Sequence, residues 1–501
     1  MNLSTKDMVA DQAAPPRALP VLRDLPRQVA LVIGLFVAVT ALLLFSPVRG
    51  LLTLLFPALA LFCSVFVYRR SKPAYTAFVV WIWFLTPFVR RVVDEQIGGE
   101  QTILLAPYLV AAVAAFFLLR NLRVLANTEA LPFVCALAAI FYGLCIGSFQ
   151  FSAVVVGQTL CEWLVPVLFA IFLYAQPSEP ERVRRSFMIA LCWGLILTAA
   201  YGIVQFYAPP SWDMNWLMRN QDELVEIGPA VAMQFRVFST MNSPTVFGVA
   251  LMAGLLMLPA FPRASRIPVG ALGLAAILLT GSRSAWIGFV AGLIFLLAHA
   301  DKRRRNILLA QIVLLGILLF GLLRAPFVGQ FISNRLSHFA DIQADASYGD
   351  RVQGYKEAMN RIAREPFGEG LGSAPALHTG EVIGPHDSSF IESLYSLGWL
   401  GTAIYACGLT LAGIGCFRTA GKGNADFIDG GRAIFIAFMV QSPLNSIMLG
   451  QAGFILWAVV ALTLKEIRLE KHAYAGAVWQ PAVRVAQVGE SGSLAIPELP
   501  R

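Results

Sequence analysis

The feature that most constrains this chain is the recurrence of apolar runs, each of about 17–20 residues, along nearly its whole length. A helix of that length crosses the hydrocarbon core of a bilayer, which is about 30 Å thick. Hydrophobic residues make up 57% of the 501 residues and charged residues only 14%, whereas a soluble domain carries about 25% charge. The sequence therefore predicts an all-α polytopic membrane protein and argues against a large soluble enzyme.

Fourteen apolar segments qualify as membrane spans, and because one or two short ones can be re-entrant we expect about 12–14 transmembrane helices. The segments are residues 28–45, 50–68, 74–89, 102–119, 131–149, 159–176, 186–206, 245–262, 267–281, 284–300, 306–323, 389–416, 433–449 and 451–464. They form one membrane domain, 28–465, between two polar tails, 1–27 and 466–501, that we expect to be disordered.

The net charge of +8 is better explained by membrane topology than by a nucleic-acid partner. Most of the 38 Lys and Arg residues fall in connections that share one side of the membrane, and the other side is net acidic. Because Lys and Arg in short loops stay in the cytoplasm, we expect both termini to be cytoplasmic. The first apolar run follows without a signal-peptidase site, which predicts a retained span.

Two connections on the predicted outer side, residues 207–244 and 324–388, are long enough to indicate a function. Within the second, Arg351–Arg364 has the spacing of a helix that lies along the outer surface, with Asp350 placed to cap it. The predicted apolar stripe of this helix consists of Val352, Tyr355, Met359 and Ile362.

Metal and nucleotide cofactors are not expected. The seven cysteines fall in apolar spans without a Cys-x-x-Cys pair, so they read as small buried hydrophobic residues. Three histidines of the second long loop, His338, His378 and His386, have spacings that match no compact metal site. A Gly-rich loop that ends in Gly-Lys-Ser/Thr is absent from the sequence, which argues against ATP use.

Isolated arginines at the predicted outer edge are the first candidates for function, because ionised groups are costly near the membrane. Arg283 lies in a turn of a few residues between two apolar runs, and Arg236 lies near the end of the first long loop. A planar guanidinium suits bidentate capture of phosphate, although anchoring to lipid headgroups is the alternative for both. Arg351 opens a predicted helix, where a cation is unfavourable, and so hints at an anionic partner.

His386 lies just before the apolar run that begins near residue 389. An imidazole, whose pKa is ordinarily about 6.5, can accept a proton from a sugar hydroxyl. Asp387 or Glu392 could orient the ring or adjust its basicity. The alternative is that His386 merely caps the next helix.

Four segments in a fixed order resemble the O-antigen ligase and polymerase superfamily of bacterial inner-membrane glycan transferases. They are Arg236 through Gly248 with its Asn242-Ser243-Pro244 turn, Gly281 through Trp286 with its Gly-Ser-Arg turn, Pro366 through Gly372 with its spaced glycines, and His386 through Gly401. The resemblance covers about residues 200–465. It implies a helical bundle of the GT-C kind, a glycan donor carried on undecaprenyl pyrophosphate, and transfer without a metal ion.

The resemblance also implies roles for individual residues. Arg236 and Arg283 match positions expected to stabilise the departing pyrophosphate, and His386 matches the loop histidine, a general base or acceptor-binding residue. Asp350 and Arg351 are second-rank candidates for substrate binding. Asp387 stands where the family has Asn, a departure that bears on acceptor preference.

Two features favour a polymerase of exopolysaccharide or O-antigen repeats, namely Asp387 and the fourteen spans. A ligase that transfers the glycan to lipid A-core is the alternative, since one architecture supports both. A transporter of the lipid-linked glycan is the alternative from another class, but it needs polar residues near the bilayer midplane, where Glu162 is the main charged residue. The expected partners are the lipid-linked donor, a glycan or glycolipid acceptor, membrane lipids and a chain-length regulator.

Overall fold

The computed structural model describes residues 25–99, 102–176, 178–220, 227–324, 328–329, 355–356, 358–373, 388–418 and 424–486. All of its longer regular elements within these ranges are helices. In chain order they are α1 (Arg27–Leu44), α2 (Leu52–Arg70), α3 (Lys72–Ile97), α4 (Ala106–Ala112), α5 (Ala115–Arg120), α6 (Leu131–Gln150), α7 (Ala153–Ala175), α8 (Pro180–Tyr207), α9 (Ser211–Arg219), α10 (Pro244–Leu256), α11 (Arg263–Leu279), α12 (Arg283–His299), α13 (Lys302–Leu323), α14 (Ser389–Cys416), α15 (Ala425–Gln441) and α16 (Gly450–Ala486).

The predicted class, an all-α polytopic membrane protein, is confirmed. In the described ranges, eight helices are long and apolar enough to cross a membrane, and α10 and α12 are shorter apolar helices. Each of the eight coincides with a predicted span: Arg27–Leu44, Arg49–Arg70, Lys72–Ile97, Thr102–Arg120, Thr128–Gln150, Ala153–Ala175, Pro180–Tyr207 and Ser389–Cys416. The expected total of about 12–14 transmembrane helices stays a prediction.

Local sequence signals explain where several helices begin. Ser71 precedes α3 and its hydroxyl accepts a hydrogen bond from the Ala74 backbone N–H. Ser243 does the same for α10 through the N–H of Thr245. A Pro follows each of these serines at the first turn, where its missing N–H costs nothing.

The structure corrects the predicted span at 433–449. Helix α15 ends at Gln441, and residues 442–449 form a non-helical connection before α16. The apolar residues of this stretch made it resemble the end of a continuous span, so the sequence did not reveal the break. Its backbone turns away because Pro443 opposes continuation of a helix and because the carbonyls of Ser442 and Asn445 accept hydrogen bonds from the start of α14.

The predicted disorder of the tail 466–501 is wrong up to residue 486, because α16 continues to Ala486. Residues 466–486 include five Ala, two Glu and two Arg residues, which are strong helix formers. At its start, Glu466 forms an ion pair with Arg184 at 3.2 Å, so the extension is also held by its neighbours. Residues 487–501 and 1–24 lie outside the described ranges.

The polar contacts between the connections lie at two opposite ends of the helical bundle. On what we call the site face, Arg49 pairs with Glu95 at 3.0 Å and Arg219 donates to the carbonyl of Asp94 at 2.6 Å. These residues belong to connections predicted to be on the outer side. The site face also includes residues 208–220, 227–243, 280–282 and 442–449.

The other end, the opposite face, carries the contacts among connections predicted to be cytoplasmic. Arg184 pairs with Glu466 there, Arg468 pairs with Glu129 at 3.2 Å, and Arg304 lies 3.6 Å from Asp426. These contacts join connections that the charge pattern assigned to one side. The pairing of connections derived from the sequence is thus consistent with the folded structure.

Candidate functional site

Arg236 lies against the turn that carries Arg283. Its side chain is 9% exposed, and its Nε donates to the carbonyl of Thr280 at 3.0 Å. Next to it, the Val237 N–H donates to the carbonyl of Leu279, the last residue of α11, also at 3.0 Å. These contacts place the Arg236 segment beside the turn that leads into Arg283.

The turn itself is short and tightly packed. It consists of residues 280–282, with Gly281 at φ +57°, and Arg283 is the first residue of α12. Gly248 of α10 lies so close that an added Cβ would stand 2.9 Å from the Cβ of Ala285. A half-buried cation at a helix N-terminus opposes the helix dipole, so its placement there favours an anionic partner.

A fully buried ion pair that the sequence did not reveal lies behind the Arg236 segment. Arg91 of α3 donates from Nε to Asp213 of α9 at 2.7 Å, and both side chains are 0% exposed. The Arg91 guanidinium also donates to the Met241 carbonyl at 2.8 Å, to the Asn242 side-chain oxygen at 2.9 Å and to the Ser239 carbonyl. One buried cation therefore organises the backbone between Arg236 and α10.

The same segment is held from α8. The Gln205 side-chain oxygen accepts from the N–H groups of Phe238 at 3.2 Å and Ser239 at 2.8 Å. Its nitrogen donates to Asp213 at 2.6 Å, and the Tyr201 hydroxyl donates to the same carboxylate oxygen at 2.6 Å. Ser239 has φ +54°, a left-handed conformation that a non-Gly residue keeps only when its surroundings fix it.

The start of α14 is joined to the arginine turn through the connection 442–449. The Ser389 N–H donates to the carbonyls of Ser442 at 2.9 Å and Asn445 at 3.1 Å, and its hydroxyl donates to Asn445 at 2.8 Å. The Asn445 side-chain amide donates in turn to the hydroxyl of Ser284, the residue after Arg283. Ser389, three residues after His386 in the sequence, thus shares a hydrogen-bonded unit with this turn.

A buried carboxyl group lies in the first turn of α14. Glu392 is 9% exposed and accepts a hydrogen bond from the Ser446 hydroxyl. The Ser388 hydroxyl caps the helix by accepting from the N–H of Ile391 at 3.5 Å. The connection 442–449 therefore contacts the beginning of α14 through both side chains and backbone.

The glycine stretch at 366–372 lies in direct backbone contact with α6 and α14, with no side chain between them. Gly368, Gly370 and Gly372 have φ values of +79°, +86° and +111°. A Cβ on Gly370 would lie 2.1 Å from the backbone nitrogen of Gly147 in α6, and one on Gly368 would lie 2.4 Å from that of Gly398 in α14. The spaced glycines allow the segment to run between these two helices.

Glu369 anchors the stretch to the predicted surface helix. Its carboxylate pairs with Arg361 Nε at 2.6 Å, and its N–H donates to the Tyr395 carbonyl at 2.8 Å. Burial raises the pKa of the Glu369 carboxyl above its ordinary value, while the positive charge of Arg361 opposes that shift.

The helix predicted at 351–364 is confirmed for the residues that the structure describes, 355–356 and 358–364. Two residues of the predicted inward stripe, Tyr355 and Ile362, do pack against the cluster that contains Ile391 and Leu394. Met359 does not, because it is 38% exposed and Ala358 is buried there instead. Residues 358 and 362 are one helical turn apart on the same face, and residue 359 lies about 100° further round.

Asp350, Arg351, His386 and Asp387 lie outside the described residues. Within the described ranges, no group of three or more His, Cys, Asp or Glu side chains could hold a metal ion. Arg91 was missed because its partner is 122 positions away, although two adjacent arginines just past a predicted span were a signal that could have drawn attention.

The fold and this site define a polytopic helical membrane protein in which Arg236 contacts the turn that leads into Arg283 at one end of the bundle. Residues 268–406 match the family model described as O-antigen ligase. The match includes the Gly-Ser-Arg turn, the glycine stretch and His386, and it confirms the predicted resemblance to the O-antigen ligase and polymerase superfamily. It supports glycan transfer of the ligase or polymerase type in general. A comparison with curated proteins gave no match.

Proposed function

We propose that this protein is an inner-membrane polymerase of surface polysaccharide, either exopolysaccharide or O-antigen repeats. It transfers glycan from undecaprenyl pyrophosphate to an acceptor sugar hydroxyl on the periplasmic side, and both termini are cytoplasmic. The observation that carries the proposal is the contact of Arg236 with the turn that precedes Arg283, on the face predicted to be outermost. Two guanidinium groups at one turn suit the charge and geometry of a pyrophosphate.

In the proposed reaction, the acceptor oxygen bonds to the anomeric carbon while the bond from that carbon to the pyrophosphate oxygen breaks. The bonding electron pair leaves with undecaprenyl pyrophosphate. Arg236 and Arg283 stabilise the charge that develops on the leaving group, a role that is often a large catalytic term. In this proposal the two guanidinium groups take the place of a metal ion.

The hydroxyl proton passes to a general base, for which we propose the His386 imidazole. Its support is the hydrogen-bonded path from Ser389 through Asn445 to Ser284, beside Arg283. Three residues of extended chain span at most about 10 Å, which would keep His386 within reach of an acceptor at the arginine turn.

We assign supporting roles to three further residues in the long loop. Asp387 would tune the imidazole or contact the acceptor, and Asp350 and Arg351 would contact the glycan or pyrophosphate. The polymerase assignment rests on Asp387, where the family has Asn, and on the number of candidate spans. A chain-length regulator would then be a natural partner.

The test compares alanine variants of the site with matched arginines on the opposite face. Arg236→Ala, Arg283→Ala and His386→Ala should each lower polymer output about 100-fold, the usual cost of removing one transition-state contact. Polymer is measured on gels from cells that lack the chromosomal copy, at equal membrane levels of protein. Binding of undecaprenyl pyrophosphate to the purified protein should weaken in both arginine variants.

Two controls share the local setting of the site arginines. Arg263 begins α11 as Arg283 begins α12, and Arg266 donates from Nε to the Phe261 carbonyl at 2.9 Å, as Arg236 donates to Thr280. Arg263→Ala and Arg266→Ala should leave polymer output near the wild-type level. Full output in Arg283→Ala and His386→Ala would refute the proposal.

Acceptor choice separates polymerase from ligase. Purified protein is given a lipid-linked repeat as donor and either a second lipid-linked repeat or lipid A-core as acceptor. A ladder of longer lipid-linked glycans is expected. Product on lipid A-core alone would make the protein a ligase, and translocation without transfer would make it a transporter.

A further inference from the structure

The residues behind Arg236 are arranged to fix its backbone rather than to touch a substrate. Four of the five N–H groups of Arg91 are used by oxygens of Asp213, Met241, Asn242 and Ser239. The Arg91 side chain is 0% exposed, so it has no accessible surface that could contact the glycan donor or the acceptor sugar. Arg91 must therefore affect glycan transfer indirectly, by fixing the position of residues 236–242.

We infer that Arg91, Asp213 and Tyr201 form a positioning unit that holds residues 236–242 so that Arg236 stands beside the Arg283 turn. The inference rests on the proposed function and adds residues that lie outside the segment matched by the O-antigen ligase family model. These three residues are positioning residues and not catalytic ones.

Three helices supply this unit, and each reaches the same short segment. Helix α3 contributes Arg91, α9 contributes Asp213, and α8 contributes Tyr201 and Gln205. Asp213 accepts from all three partners, so its carboxylate is the common centre, and it neutralises the buried charge of Arg91. Removing a charge from such a centre leaves the other charge buried and uncompensated.

The segment is then fixed at both of its ends. At its start, Arg236 and Val237 bond to the carbonyls of Thr280 and Leu279. At its end, Arg91 holds the Met241 carbonyl and the Asn242 side chain, directly before the Ser243 cap of α10. A residue in left-handed conformation, Ser239, lies between these two anchors. Loosening the second anchor releases that conformation and lets the Arg236 guanidinium move relative to the turn.

The mildest test is Tyr201→Phe, which removes one hydroxyl that donates to Asp213 at 2.6 Å and accepts from the Trp212 indole at 3.0 Å. The matched control is Tyr174→Phe on the opposite face, which removes a hydroxyl that donates to Glu129 at 3.0 Å. Each variant deletes a Tyr-to-carboxylate hydrogen bond from a membrane helix. Only the first carboxylate belongs to the proposed unit.

Backbone amide exchange of residues 236–242 is the first measurement, because it needs no ligand. Tyr201→Phe should speed the exchange of the Phe238 and Ser239 amides about fivefold, the expected effect of losing one buried hydrogen bond. Tyr174→Phe should leave those amides unchanged. Unchanged exchange in Tyr201→Phe, or equal acceleration in both variants, would overturn the inference.

Coupling to Arg236 is the second measurement. Tyr201→Phe should weaken binding of undecaprenyl pyrophosphate and lower turnover in the wild-type background. The same change should cause little further loss when it is added to Arg236→Lys, because that variant already lacks the guanidinium that Tyr201 helps to position. Fully multiplicative losses would show that Tyr201 acts elsewhere and would overturn the inference. Asp213→Asn and Arg91→Lys should give the same pattern with larger effects.

The outcome for the proposed function is read separately. If wild-type protein binds no undecaprenyl pyrophosphate, or Arg236→Ala binds it like wild type, the proposed function fails. Amide exchange would still report whether Arg91, Asp213 and Tyr201 fix the segment. If wild-type protein binds undecaprenyl pyrophosphate normally but amide exchange is unchanged in Tyr201→Phe, the inference of a positioning unit is refuted and the proposed function is not affected.

Discussion

The two ends of the bundle use buried polar groups in different ways. On the site face, Arg91 and Asp213 hold a stretch of irregular backbone with a left-handed residue inside it. On the opposite face, Lys465 donates to the carbonyls of Leu173 and Gln176 at 3.0 and 2.6 Å, which closes the end of a regular helix. Buried charge is costly, and of these two groups it is the Arg91–Asp213 pair that maintains irregular backbone.

The comparison teaches where precision is built into this molecule. A helix end satisfied by a cation is a local need that many sequences meet. An irregular segment fixed by side chains from three helices needs compatible residues at positions that are far apart in sequence. Strained backbone that is maintained in this way is typical of functional regions.

The largest expected effect tests this difference directly. Asp213→Ala removes one partner of an ion pair whose side chains are both 0% exposed, and it should destabilise the fold by about 3–5 kcal/mol. Glu466→Ala breaks the pair with Arg184, whose side chain is 13% exposed, and should cost about 1–3 kcal/mol. Thermal unfolding in detergent compares the two variants. Equal losses would contradict the difference proposed between the two ends.

The second expected effect concerns irregular backbone at the glycine stretch. Gly370→Ala places a Cβ 2.1 Å from the Gly147 nitrogen at φ +86°, and we expect a loss of about 2–4 kcal/mol from strain and overpacking together. Gly99→Ala is the control, since Gly99 has φ +71° with nothing within 4 Å. It should lose only the conformational part, about 1–2 kcal/mol.

The measurement is again the midpoint of thermal unfolding, read with polymer output at a permissive temperature. If Gly370→Ala were no worse than Gly99→Ala, the close approach of the two backbones would have no energetic weight. The glycine spacing would then have to be explained by something other than packing between α6 and α14.

Sequence reasoning succeeded where structure depends on local composition. Each of the eight long apolar helices coincides with a predicted span, because the length and hydrophobicity of a segment determine whether it can form a membrane-spanning helix. The resemblance assigned Arg236 and Arg283 to one pyrophosphate site, which stays a prediction, and the structure shows Arg236 bonded to the carbonyl of Thr280 in the turn before Arg283. The helical stretch before Pro366 followed from its periodicity.

Sequence reasoning failed where structure depends on distant partners. The break at 442–449 arises because Asn445 and Ser442 accept hydrogen bonds from Ser389 in another helix, and apolar content alone cannot reveal that. Nothing in the sequence links Arg91, just past a predicted span, with Asp213 in the connection 207–244. Their pairing became visible only when the helices were packed together.

The smallest expected effect compares two asparagines that each use one side-chain amide to join neighbouring elements. Asn445 donates to Ser284 on the site face, and Asn424 donates to Glu466 at 2.8 Å on the opposite face. Asn445→Ala should cost about 1 kcal/mol of stability and Asn424→Ala about 1–2 kcal/mol, because the latter bond goes to a carboxylate.

Transfer should respond in the reverse order. Asn445 links the turn of Arg283 to the start of α14, so its loss should lower polymer output, whereas Asn424→Ala should leave output near wild type at a temperature where both variants are folded. Gel analysis of polymer at matched protein levels measures this. A larger loss of output in Asn424→Ala would show that stability alone governs transfer, and that the two faces do not differ in the way their polar contacts imply.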